Sequence, residues 1–77
     1  MPEAFILINT TAGAEAKVVE VLKEMEGVEE VHVVYGTYDI VARVNIDSTS
    51  KPKEDVTWRI KRMSEIQSTM TLVVADS

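Results

Sequence analysis

The residues best equipped for chemistry lie together at Tyr35-Gly36-Thr37-Tyr38-Asp39. Gly36 alone would satisfy a tight hairpin turn, because glycine reaches positive φ without a steric penalty. Such a turn does not require Tyr38 and Asp39 beside it. A carboxylate at a strand start accepts hydrogen bonds from an ammonium or from turn amides. Free turn N–H groups can hold a carboxylate. Together these features suit a zwitterion such as an amino acid. The competing reading is that Asp39 caps only its own turn.

Other chemistry is sparse. His32 is the single histidine, with Glu30 on the same side of an expected strand. One His–Glu pair is weak evidence for a metal site or an acid–base device. The ordinary reading is a strand histidine on a surface or interface. Cysteine is absent, which removes disulfides and thiolate ligands. Gly13, Gly27 and Gly36 are scattered, so no phosphate-cradling loop is present. No Ser-His-Asp order and no aromatic-basic RNA signature stand out. Neither a metal nor a cofactor is expected.

The elements that must position these residues fit in 77 residues, enough for one small domain. Hydrophobic residues make up 45% and charged residues 27%, a globular composition. The 8 basic and 13 acidic residues leave a net charge of -5, which argues against direct binding to nucleic acid or an anionic membrane. No apolar run approaches the roughly 18 residues of a membrane span. No signal peptide is evident, so a cytoplasmic address is expected.

The chain resembles itself at a spacing of 38: Ile6 meets Val44, Leu22 meets Ile60, and Met25 meets Met63. Two such copies suggest a duplicated βαβ unit. Ala4 to Asn9 reads as a central strand. A helix follows from about Ala14 to Met25, with Val18, Val21, Leu22 and Met25 on one apolar face. Gly27 stops it. Val28 to Tyr35 and Tyr38 to Ile46 read as strands joined at Gly36-Thr37. Asp47 to Lys51 is a polar loop, and Pro52 suits a helix start. Val56, Ile60 and Met63 should line that helix's buried face. The last strand should run from about Gln67 to Ala75.

The order is β-α-β-β-α-β, an α+β ferredoxin-like pattern. Right-handed crossovers place both helices on one face of a four-stranded antiparallel sheet. The other face is then bare. Ile40, Ala42, Val44 and Ile46 should face the helices with Ala4, Ile6 and Ile8. Phe5, Leu7, Val41 and Arg43 point outward. Apolar surface of this kind marks an interface, and a second copy laid sheet against sheet is the expected cover. Trp58 sits nearly opposite Ile60 on its helix and is a further interface candidate. In the last strand, plain alternation sends Thr69 and Thr71 outward and puts Leu72 and Val74 in the core. The internal repeat suggests the reverse facing, but the alternation facing is the expected one because Leu72 and Val74 make the better core; a bulge in the second strand would reconcile the two.

Val34-Tyr35-Gly36-Thr37-Tyr38-Asp39-Ile40-Val41 resembles the V-x-G-x-Y-D signature of the effector-binding domain of Lrp/AsnC regulators, the RAM domain (regulation of amino acid metabolism). Ala4 to Ile8 is similar to that family's first strand. Met25-Glu26-Gly27-Val28-Glu29-Glu30-Val31 is similar to its x-G-V-x-x-V passage, and Thr69-Met70-Thr71 to its T-x-T. Ser64-Glu65 stands where the family often has Pro-Gly. The resemblance implies sheet-to-sheet dimers that assemble further into octamers or similar rings. It implies an effector, commonly an amino acid, bound between dimers near the glycine turn. By motif match the ligand positions are Gly36, Tyr38, Asp39, Thr69 and Thr71.

Full-length members of that family carry a helix-turn-helix, whereas residues 1–77 correspond to the ligand-binding domain. The expectation is therefore a stand-alone, non-enzymatic domain tied to transcription regulation, without DNA binding of its own. Full-length regulators are candidate partners in mixed assemblies. The alternative is a small dimeric ferredoxin-like enzyme, of monooxygenase or isomerase type, with His32 or Asp39 as acid or base.

Overall fold

The computed structural model describes residues 3–45 and 56–75. The expectations for Ile46, the 47–51 loop, Pro52 and the Val56 side chain lie outside what is described. The elements run β1 (Glu3–Thr10), α1 (Glu15–Lys23), β2 (Val28–Val33), β3 (Ile40–Asn45), α2 (Val56–Lys61) and β4 (Ile66–Val73). One antiparallel sheet has the order β2-β3-β1-β4, so the first and third strands in sequence form its centre.

Alternation in the two central strands builds the core. Ala4, Ile6 and Ile8 from β1 and Ile40, Ala42 and Val44 from β3 are fully buried. They pack with Val18 and Leu22 of α1 and Ile60 of α2, so both helices cover the same face. Burying aliphatic side chains of this size contributes roughly 1.5–3 kcal/mol each.

α1 is shorter than the periodicity suggested. Its N-cap is Ala14, which has no side-chain oxygen to offer the first amides. Glu15 in the first turn and Lys23 in the last are instead placed favourably along the helix dipole. Val21, expected on the buried face, is 38% exposed. Val19 packs against the core in its place. The helix is rolled toward β2, and its buried stripe runs through Val18, Val19, Leu22 and Met25.

β2 carries a register shift between Val28 and Glu30. The extra residue, Glu29, lets Val28 and Val31 both pack inward although they are three positions apart. The β2–β3 connection is longer than a two-residue hairpin. Pairing ends at Val33 and Ile40, and one more bond runs from Val34 N–H to Asp39 C=O at 2.9 Å. The Asp39 N–H turns away from β2 to the Ile8 carbonyl, also at 2.9 Å, which shortens β3 at its start.

The facing of β4 corrects the alternation argument. Val73, Thr71 and Thr69 pair with Ala4, Ile6 and Ile8, so they lie on the helix-covered side. Leu72 and Met70 pair with Phe5 and Leu7 on the other side, and each is 48% exposed. Val74, expected in the core, is exposed. The repeat-based facing was the right one. The physical reason is that the outer face is itself apolar, so hydrophobicity along β4 does not distinguish inside from outside.

Candidate functional site

The turn Val34–Asp39 is anchored to β1 by its last residue. Asp39 Oδ2 accepts the Thr10 N–H at 3.0 Å. With the Asp39 N–H on Ile8, two bonds fix this residue across the end of the central strand. Asp39 therefore does more than cap its own turn. Gly36, at φ 141°, occupies a conformation that L side chains rarely adopt. A Cβ there would meet nothing within 4 Å, so the demand for glycine comes from the backbone alone. Tyr35 beside it is completely exposed.

Thr10 was not among the expected site residues. It continues the inward phase of Ala4, Ile6 and Ile8, and a polar residue in that phase was the signal available. It is 6% exposed, and its Oγ1 has no hydrogen-bond partner among the described residues. Buried hydroxyls normally find one. Thr69 lies across from Ile8, whose carbonyl holds the Asp39 amide. Asp39, Thr10 and Thr69 thus converge on the same end of β1. Thr71 is one pleat further along, about 7 Å away; its Oγ1 is also buried and unpartnered among the described residues. Tyr38 goes elsewhere. Its hydroxyl donates to Met70 Sδ at 3.7 Å, which places it on the outer face.

The outer face divides into two zones. Leu7 lies between Val41 and Met70, and Phe5 lies between Arg43 and Leu72. Phe5 is 37% exposed, and Leu7 and Val41 are partly buried. Neither described helix covers them. Beyond this apolar strip, Arg43 donates to Glu3 at 2.9 Å, to Glu29 at 3.2 Å and to Glu30 through two nitrogens. His32 Nε2 lies 3.1 Å from the other Glu30 oxygen. The Arg43 pKa is raised, chiefly by its hydrogen bonds to Glu30 and then Glu3. The Glu30 carboxyl is held below its ordinary range, first by His32 and then by Arg43. One guanidinium shared by three carboxylates orders this corner of the sheet.

A second ion pair, Lys17 to Glu65 at 2.6 Å, joins α1 to the segment entering β4. Trp58 is 39% exposed, with the Arg62 guanidinium 4.7 Å from its ring centroid. An open cleft of about 230 Å³ runs along β2, lined by Lys23, Val28, Glu29, Glu30, Val31 and His32. It includes none of the expected ligand residues. Among the described residues no group of three or more His, Cys, Asp or Glu could hold a metal ion. Among them, too, no helix is long and apolar enough to cross a membrane.

The geometry matches known proteins. The family described as Lrp/AsnC ligand binding domain matches residues 3–77. The crystal structure of FFRP-DM1 is 42% identical, with a TM-score of 0.86, covering 96% of this chain and 99% of that one. A hypothetical protein from Pyrococcus horikoshii, PHS023, is 40% identical with a TM-score of 0.86, covering 100% of this chain and 93% of that one. AsnC from E. coli is 27% identical with a TM-score of 0.85; the match covers 99% of this chain and 52% of AsnC. The chain thus spans about half of that regulator. Among proteins with curated descriptions, none matches.

Proposed function

Since the chain belongs to the Lrp/AsnC ligand-binding domain family, we propose that it binds an amino acid or related small metabolite at the Val34–Asp39 turn and passes that state on through its assembly. Asp39 carries the argument. Its carboxylate is held by one backbone bond, from Thr10, at 3.0 Å. A carboxylate has about four lone-pair sites, so capacity remains for a ligand ammonium. The buried Thr10 hydroxyl, without a partner among the described residues, lies on the residue that supplies that bond. Gly36, Thr69 and Thr71 supply turn amides and hydroxyls for the ligand carboxylate; Tyr38, whose hydroxyl meets Met70 on the opposite face of the sheet, takes no part in that contact.

The same reading makes the outer face a dimer interface, through Phe5, Leu7, Val41 and Arg43, joined by Met70 and Leu72. Two such faces brought together bury the apolar strip of each copy. Dimers join into a ring, and ligand binding shifts that assembly if its affinity differs between assembly states. Full-length regulators of the family are the partners to which the signal passes. Catalysis is not part of the reading. The test is a thermal-shift screen of the amino acids on the parent protein and on Asp39→Ala, since a native-state ligand must raise the melting temperature.

A further inference from the structure

Tyr38 belongs to the Gly36 turn, yet its hydroxyl meets β4 on the outer face, where it donates to Met70 Sδ at 3.7 Å. A thioether sulfur is a weak acceptor. The contact therefore leaves most of a good donor's strength unused. Met70 itself is 48% exposed. It pairs with Leu7, and Leu72, two positions on, pairs with Phe5. Its strand, Ile66–Val73, contains no charged residue. Among the described residues the other methionines, Met25 and Met63, are partly buried against the core.

Peroxides oxidise accessible thioethers, and the sulfoxide is polar and chiral where the thioether was apolar and flexible. As the peroxide O–O bond breaks, one oxygen bonds to sulfur and the other leaves as water. Sulfur loses two electrons and the peroxide gains them. The new oxygen is a strong acceptor, and the Tyr38 hydroxyl already stands beside the sulfur.

We infer that Met70 is a peroxide-sensitive site that controls sheet pairing: its sulfoxide, held by Tyr38, puts a polar group into the apolar strip and keeps two copies apart. The inference rests on the sheet-to-sheet dimer proposed above. Pairing and oxidation oppose each other, because a second copy covers the sulfur that peroxide must reach. A sulfoxide reductase supplied with a dithiol reverses the change. The oxygen leaves as water and the dithiol becomes a disulfide.

The test is sedimentation of the purified protein before and after hydrogen peroxide, with peptide mass mapping to locate the added oxygen. The untreated parent should pair at micromolar concentration. Met70 should gain oxygen ahead of Met25 and Met63, and more slowly as protein concentration rises. The dissociation constant of the oxidised protein should increase at least about tenfold, since burying a polar group costs free energy. Sulfoxide reductases of both stereospecificities, with a dithiol, should restore pairing. Met70→Leu, which conserves volume, should pair and stay paired after peroxide. At dilutions where every form is a single copy, Tyr38→Phe should lower the melting temperature more in the oxidised protein than in the reduced one. Equal losses would overturn the Tyr38 contact. A parent that is already a single copy overturns sheet pairing itself. A paired parent whose Met70 resists peroxide, or that stays paired once Met70 carries oxygen, overturns the redox site alone. Loss of pairing in peroxide-treated Met70→Leu does the same, because it traces to another residue.

Discussion

The Thr10 N–H and the Asp39 carboxylate meet at 3.0 Å across a sequence separation of 29 residues. The bond ties the end of the central strand to the turn that carries Gly36. It also leaves the Thr10 hydroxyl, buried and without a partner among the described residues, on the strand residue nearest that carboxylate. A turn held this way is a rigid base for recognition, and rigid bases lose less entropy on binding.

The outer face should behave as an interface. Leu72 is 48% exposed in a single copy, so Leu72→Asp leaves the fold of one copy little changed. Within a sheet-to-sheet dimer the same carboxylate would be buried without a partner, at a cost of several kcal/mol. The dissociation constant should rise by at least about a hundredfold. Sedimentation of the variant at micromolar concentration should show single copies. An unchanged mass would remove this face from the interface.

Thr71 of β4 should separate stability from binding. Thr71 Oγ1 is buried without a partner among the described residues, so Thr71→Val exchanges an unsatisfied hydroxyl for a methyl of similar shape. Such a change is neutral or stabilising by up to about 1 kcal/mol. The melting temperature should hold or rise by a few degrees. If Thr71 touches the effector, the ligand-induced shift should fall in the same variant. A clear loss of stability would mean that the hydroxyl has a partner after all.

The Arg43 cluster should give a pH signature. The folded-state pKa of Glu30 is lowered, with His32 and then Arg43 as causes. A depressed carboxylate contributes stability above its unfolded pKa and loses that contribution as pH falls through the folded value. The gap in melting temperature between the parent and Arg43→Met should therefore be full above about pH 5 and close as the pH drops below Glu30's lowered pKa. The effect should be small, because the partners are solvent-exposed. A gap that widens on acidification would contradict the assignment.

The central strands were readable because each buries one clean phase of apolar side chains: Ala4, Ile6 and Ile8 in β1, and Ile40, Ala42 and Val44 in β3. The turn within Tyr35–Asp39 was readable because Gly36 marks it, and Gly36 does take a positive φ there. β4 was misread because Leu72 and Met70 are apolar although they lie on the face away from the helices, and alternation alone does not say which face the helices cover. Val21 was misread because a 3.6-residue period allows neighbouring stripes, and tertiary contact with β2 chose the one containing Val19. The Thr10–Asp39 bond was invisible because it joins distant segments, and only the register of β1 against β3 brings them together.

Thermal denaturation of the parent and of Asp39→Ala, each with the twenty amino acids at millimolar concentration, tests the effector reading most directly. Losing the bond to Thr10 should cost about 1–2 kcal/mol, or roughly 4–16 °C in a domain of this size. At least one amino acid should stabilise the parent, by about 2.7 kcal/mol when present at a hundredfold excess over its dissociation constant, and should leave the variant unshifted. No shift with any amino acid, or an equal shift in both proteins, would contradict the account.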